Sequence, residues 1–487
     1  MNLVSLSEAD LAEIETLFNN FHQEYACFFE TQTRSVAKPA CDYLHAQLFT
    51  KQRQNLTQYC REVPSSDYEA MQHFISDSPW DSQGPLKQLR KDAMTLLGDK
   101  TDGALIVDES GIEKQGKMSV GVQRQYCGRL GKVENCQVGV YLAYSNCNHT
   151  SLIDYRLYLP SSWASDKERR AKCGVPDARC YRRKSVEAFR AEITFQTKAE
   201  LGLEMIRAFK AEGHQFGWVS MDSHYGEQPW LLKQLTDENF LYMADIPCDT
   251  CVFTEKPDTE IPSAVLSPPQ RRSLPRLRQG NRGRHPTKPR LVAGSPKPIQ
   301  VRDFAPNLSW SQLSVRKTER GWLIADFAAV RVWHSVDNLP FQEVWLVMRR
   351  TIGDNTTIRY SFSNAPSDTS LLRLAQMQCR RYWVERALED AKGEAGLDQY
   401  QVRGWKGWHH HMTMTLLAMF FLLQLTLHFG SKAPLLTIQD AREILETFLP
   451  RKSYSRREFL ALLEEKHRAR LSARKSHAKK QKKKIEY

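Results

Sequence analysis

Ala104-Leu105-Ile106-Val107-Asp108 is a short apolar run that ends on a carboxylate. The hydrophobic period of the chain changes around it. Upstream, from residue 1 to about 98, apolar residues recur at helical spacing, as in 12–18 and 68–75. Ser78-Pro79-Trp80-Asp81 breaks that pattern before another helix near 85–97. Downstream, Gln137 to Tyr144 (QVGVYLAY) alternates as a strand does, and Leu152 to Leu159 reads as its partner. Residues 197–212 have the spacing of an amphipathic helix, and Phe216 to Met221 form a further strand-like run that leads into Asp222. Strands, a helix and a further strand predict an α/β layer built on a mixed sheet.

The chain has 487 residues, enough for two or three folded units, and its 41% hydrophobic and 26% charged residues argue against global disorder. Its net charge of +13 is concentrated in two places. Residues 270–290 carry eight Lys or Arg and no acid, and residues 466–484 carry ten and no acid. The remainder is mildly acidic. Two cationic segments on a near-neutral body point to a polyanionic partner. Eleven dispersed cysteines without a secretory leader point to reduced thiols in a cytosolic compartment. Cys248 and Cys251 form a lone C-x-x-C, without the second pair a closed zinc site needs. Met412 to Phe429 is the only long apolar stretch; it is interrupted by Thr, Gln and His and reads as a core helix, not a membrane span.

Asp108 and Asp222 each end a strand-like run, where the ligand crevice of an open α/β sheet lies. A third acid, Glu385, sits in Arg381-Tyr382-Trp383-Val384-Glu385-Arg386-Ala387-Leu388-Glu389-Asp390-Ala391-Lys392, a run with no Gly or Pro that reads as helix. There Arg381, Glu385 and Lys392 share one face. Each feature has a plainer reading alone: a strand-end cap, or a solvated ion-pair stripe. Together, three acids able to converge make a divalent-metal site of the type Mg²⁺ prefers, with Mn²⁺ as a substitute. With two ions, such a site activates an attacking oxygen and stabilises a leaving one, which is most of what phosphodiester transfer requires.

Four stretches carry a family likeness: Ile106-Val107-Asp108-Glu109-Ser110-Gly111, Ser119-Val120-Gly121-Val122-Gln123-Arg124-Gln125-Tyr126-Cys127-Gly128, Asp222-Ser223-His224-Tyr225-Gly226 and Gly396-Leu397-Asp398-Gln399-Tyr400. From about 60 to 430 the chain resembles bacterial DDE insertion-sequence transposases, most closely the insertion-sequence 701 family. The resemblance implies an RNase H-like catalytic core with Asp108, Asp222 and Glu385 as catalytic and metal-binding acids, served by Mg²⁺, with two ions expected. It implies cleavage at transposon ends and strand transfer into target DNA. Relatives carry Tyr-x2-Arg-x3-Glu-x6-Lys on the glutamate's helix. Arg381, Glu385 and Lys392 keep that spacing, but Gln378 stands where the tyrosine would be, so a phosphate-contacting hydroxyl is replaced by an amide.

The 163 residues from Asp222 to Glu385 exceed any ordinary core connection. Similar transposases fill that interval with a β-rich insertion domain, which suits the strand-like runs at 323–333, 343–349 and 358–363; Trp322, Trp333 and Trp345 are its candidates for stacking on a DNA base. The expected division is a helical DNA-binding region at 1–98, core at 99–248, insertion at 249–366 with a Pro/Arg-rich loop at 255–300, core again at 367–430, and a helical region with a flexible basic tail at 431–487. Arg381 and Lys392 suit phosphate oxygens. Arg403, Trp405, Lys406 and Trp408 interleave base and ring; that fits a DNA grip and fits equally a loop packed on the core. Double-stranded DNA at the element's terminal repeats and at the target is the expected partner. A homodimer is expected when two ends are joined, in a bacterial, nucleoid-associated setting without a membrane. The alternatives are an end-binding protein that no longer cuts, and a metal-dependent nuclease unrelated to transposition.

Overall fold

The computed structural model describes residues 4–50, 54–176, 195–260, 288–305, 308–318, 321–353 and 357–485. The chain divides into two compact units, Met1–Trp80 with Phe429–Tyr487, and Asp81–His428. Most of the basic cluster at 270–290 and of the proline-rich stretch lies outside the described residues.

The first unit is helical. Ile14–Tyr25, Ala37–Phe49 and Tyr68–Ser76 bury Phe18, Phe21, Phe49 and Phe74. Ile438–Phe448 joins them, its buried Arg442 donating to the Thr50 carbonyl at 2.8 Å. The last helix, Arg456–Ile485, runs through the stretch expected to be a flexible tail. No Gly or Pro occurs from 451 onward, and Leu, Ala, Glu, Lys, Arg and Gln are strong helix formers, so local propensity favours helix there.

The second unit is organised by its strands: β1 Ala104–Glu113, β2 Gln123–Cys127, β3 Lys132–Asn146, β4 His149–Leu157, β5 Trp218–Met221, β6 Tyr242–Ile246, β7 Cys251–Phe253, β8 Thr259–Glu260, β9 Arg290–Leu291, β10 Ile299–Gln300, β11 Ser311–Thr318, β12 Gly321–Val336, β13 Leu339–Arg350 and β14 Ile358–Ser363. β1, β3 and β4 form an antiparallel meander, and β5 and β6 then lie parallel to β1 in the order β4-β3-β1-β5-β6. β14 pairs antiparallel with β6, and β13, β12, β7 and β10 follow outward, so the strands between Asp222 and Glu385 continue the same sheet. The 16-residue β12 has room for β11 along one end and β7 at the other. β8 and β9 pair separately.

Burial of both faces explains why β1 begins as an unbroken apolar run instead of an alternating one. On one face, the Tyr155 hydroxyl bonds Thr413 and that of Tyr141 points to Met412, both on the helix Trp405–His428. Tyr144, three residues from Tyr141 and so on the other face, packs on Phe209 of the helix Lys198–Ala211. Thr197 and Glu200 cap that helix reciprocally. Trp405–His428 is long and apolar enough to cross a bilayer, yet its apolar stretch is buried inside this unit. It starts earlier than the expected 412, placing Trp405, Trp408 and the three histidines on helix.

Candidate active site

Asp108 was expected at a strand end but lies midway along β1, which β3 extends by pairing out to Glu113. The crevice forms because the other neighbour stops: β5 pairs with β1 only as far as Val107–Met221. From Asp108 onward no described strand pairs with that edge of β1. Asp222 follows the last β5 residue, which puts it beside Asp108 in register. It caps the short helix Ser223–Gly226, its Oδ1 accepting the His224 N–H at 3.0 Å. Glu385 lies in the first turn of the helix Tyr382–Glu394, which packs across β1 and β4, and Lys392 lies two turns further along.

These four side chains line one open cavity of about 1380 Å³, with Arg381, Glu109, Lys198, Arg129, Tyr126, His224, Asp245 and Asp398. Arg381 is at its centre. Its Nη2 is 2.6 Å from Glu385 Oε1, its Nε donates to Asp245 Oδ2 at 3.0 Å, and its Nη1 is 3.8 Å from Asp108 Oδ2. Burial disfavours the charged guanidinium, but Asp245, Glu385, Asp108 and Asp222 outweigh it and hold its pKa above the ordinary value. Burial, with the nearby Asp222 charge, pushes Asp108 up to about 7 against the pull of Arg381. Burial also raises Asp222, again opposed by Arg381. Burial lowers Lys392, and Arg129 adds to that effect.

Asp108 and Asp222 offer hard carboxylate oxygens of the kind a divalent cation takes. Among the described residues, however, no three His, Cys, Asp or Glu side chains are gathered to ligate one ion as they stand, and Arg381 lies against Asp108 and Glu385. Asp108 Oδ1 is taken by the Glu109 N–H at 2.7 Å and Asp222 Oδ1 by His224, while the second oxygen of each accepts no hydrogen bond among the described residues. Burial first, and then the Asp222 charge, raise Asp108 more than Arg381 lowers it, so a further cation beside these carboxylates would be favoured. Hard oxygens with a charge deficit are what Mg²⁺ or Mn²⁺ would meet.

Three of the expected phosphate contacts are elsewhere. Gln378 is on the preceding helix, Leu371–Arg380, which breaks at Arg381; it is buried, and its Nε2 donates to Ser361 Oγ at 2.9 Å and to the Val347 carbonyl at 3.3 Å. The Arg403 carbonyl accepts the Val120 N–H at 2.9 Å, and the Trp405 ring packs edge-on against His409 at 4.2 Å. None of the three lines the cavity. Asp245 was not anticipated. Its strand, Tyr-Met-Ala-Asp-Ile, repeats the signature of 104–108, apolar residues leading to an acid, and that signal was available. Glu109, paired with Lys198 at 2.6 Å, was also missed as a pocket residue.

The family profile described as DDE superfamily endonuclease matches residues 24–321, well over half of the chain. The chain belongs to that family, which implies cleavage of nucleic acid with the help of a divalent metal. The match includes Asp108 and Asp222; Glu385 lies beyond it. A "Probable transposase for insertion sequence element IS701" from Microchaete diplosiphon is 27% identical over 229 residues, 46% of this chain and 53% of the relative. The chain thus spans about half the length of that relative.

Proposed function

We propose that this chain is a DNA transposase that cuts at the ends of its element and joins them to target DNA. The observation that carries the reading is the convergence of Asp108, Asp222 and Glu385 on one cavity, with Arg381 and Lys392 beside them. In this reading Asp108 on β1 and Asp222 just past the end of β5 would hold the ion, and Glu385 would close the site from its helix. A bound Mg²⁺, or a pair of them, supplies Lewis-acid activation of the attacking oxygen and neutralises charge on the leaving one. Arg381 and Lys392 bind non-bridging phosphate oxygens, the arginine as a planar fork and the lysine as a point charge.

Elsewhere the reading assigns DNA contact by exposure and charge. In the insertion between Asp222 and Glu385, Trp322 is 55% exposed and offers an open ring face for a base. Trp333 has Lys256 over its ring at 4.7 Å, and Trp345 is tied to the Pro366 carbonyl at 3.0 Å. The acid-free basic stretch that begins at Lys466 in the helix Arg456–Ile485 suits the phosphate backbone without reading sequence. A dimer that holds two ends completes the proposal, in a bacterial cell where the chromosome is the target.

Purified protein, the DNA flanking its gene and Mg²⁺ or Mn²⁺ test this directly. End-specific cleavage with strand transfer is expected. Asp222→Ala and Glu385→Gln should lower cleavage below detection and leave gel-shift affinity within about threefold of wild type, since they remove chemistry and not the DNA surface. Cleavage that survives either substitution refutes the site. Binding without any cleavage by the wild type supports a protein that only marks element ends.

A further inference from the structure

Asp245 shares a row with the two aspartates of the site. β5 pairs with β6 through Met221–Ala244, so Asp108 on β1, Asp222 just past the end of β5 and Asp245 on β6 stand side by side. Its oxygens are committed differently. Asp245 Oδ1 accepts the Ser361 hydroxyl at 2.6 Å, and Oδ2 accepts Arg381 Nε at 3.0 Å. Gln378 Nε2 in turn donates to Ser361 Oγ at 2.9 Å. Asp108 and Asp222 each keep one oxygen free of hydrogen bonds among the described residues, whereas protein donors hold both oxygens of Asp245.

Arg381 is correspondingly divided. Its Nε is fixed to Asp245, while Nη1 and Nη2 face Asp108 and Glu385, the acids read above as ion ligands. A guanidinium that covers those oxygens competes with a cation for them. We infer that Asp245 is a positioning residue: it anchors Arg381 by Nε, so that the terminal nitrogens yield Asp108 and Glu385 to an incoming ion and turn to a phosphate oxygen. Ser361 and Gln378 hold the anchor in place, which gives Gln378 a task behind the site instead of at the phosphate. The inference rests on the metal-site reading and deepens it. Without the anchor, Arg381 settles fully on Glu385 and Asp108, and the ion must displace a tighter pair.

The test is Mn²⁺ binding by calorimetry to the full chain without DNA, at pH 8. The proteins are wild type, Asp222→Ala, Asp245→Asn, Arg381→Gln and the Asp245→Asn/Arg381→Gln double variant. Arg381→Gln should tighten Mn²⁺ by removing the competitor. Asp245→Asn should weaken it about tenfold in wild type but by less than about threefold in the Arg381→Gln background, the difference being the coupling. Ser361→Ala, which changes no charge, should weaken it about threefold and carries the test if Asp245→Asn does not fold. Equal weakening by Asp245→Asn in both backgrounds would make Asp245 an ordinary ligand or a through-space charge, and overturns the inference. No effect in either background, or no effect of Ser361→Ala, overturns it too. Wild-type affinity retained in Asp222→Ala would sink the metal site itself, a distinguishable failure.

Discussion

Asp108→Asn should make the protein more stable while it removes activity. Asp108 is 8% exposed and its pKa stands at about 7 in the fold, against 3.8 for an unperturbed aspartate. Between those values the native state binds the proton and the unfolded chain does not, so stability falls as pH rises through that window. Below about pH 4 the cost of Asp108 is absent; above about pH 7 it is fully present. At about 1.36 kcal/mol per pH unit the upper limit is about 4 kcal/mol. Asparagine keeps the oxygen that accepts the Glu109 N–H but places an uncharged amide near Arg381, so about 2 kcal/mol is a fair expectation. For a unit of this size that is a rise of roughly 3 °C in Tm. Thermal unfolding of both proteins in EDTA from pH 3.5 to 8.5 measures it. The gap should be near zero at the acid end, open through neutrality and then level off. A gap that is constant across pH, or a less stable variant at pH 8, refutes the electrostatic account of the site.

Two further outcomes test the DNA surfaces. Trp322→Ala should lower kcat/KM for end cleavage by an amount equivalent to roughly 1–3 kcal/mol, the worth of one base on a ring, with the melting temperature unchanged because the side chain is exposed; an unaltered rate removes Trp322 from the interface. Replacing Lys466, Arg468, Arg470, Arg474 and Lys475 by Gln should weaken binding to specific and unrelated DNA alike and flatten the log–log salt dependence, by about 0.9 for each phosphate that is no longer neutralised. Weakening confined to element ends would mean that this helix reads sequence.

Much of the site is written in local pattern. Apolar runs that end in an acid mark Asp108 and Asp222, and the uninterrupted helical stretch at 381–392 aligns Glu385 with Lys392. What pattern leaves out depends on partners. The crevice at Asp108 exists because β5 ends at Met221 while β3 keeps β1 extended to Glu113, and no residue of β1 announces where its neighbours stop. Gln378 looks as if it belongs to the same helical stripe as Glu385, but the helix breaks at Arg381 with neither Gly nor Pro to signal it, and the amide turns to Ser361. Asp245 was legible in the same terms as Asp108. Its role was not, because Ser361 and Arg381 reach it from positions 116 and 136 residues away.

Anomalous diffraction from crystals of the full chain grown with Mn²⁺ reaches the central claim most directly. A peak within coordination distance of the free oxygens of Asp108 and Asp222, with Glu385 drawn toward it and Arg381 still on Asp245, is the predicted result. Manganese found only at other carboxylates, with Asp108, Asp222 and Glu385 bare, contradicts it.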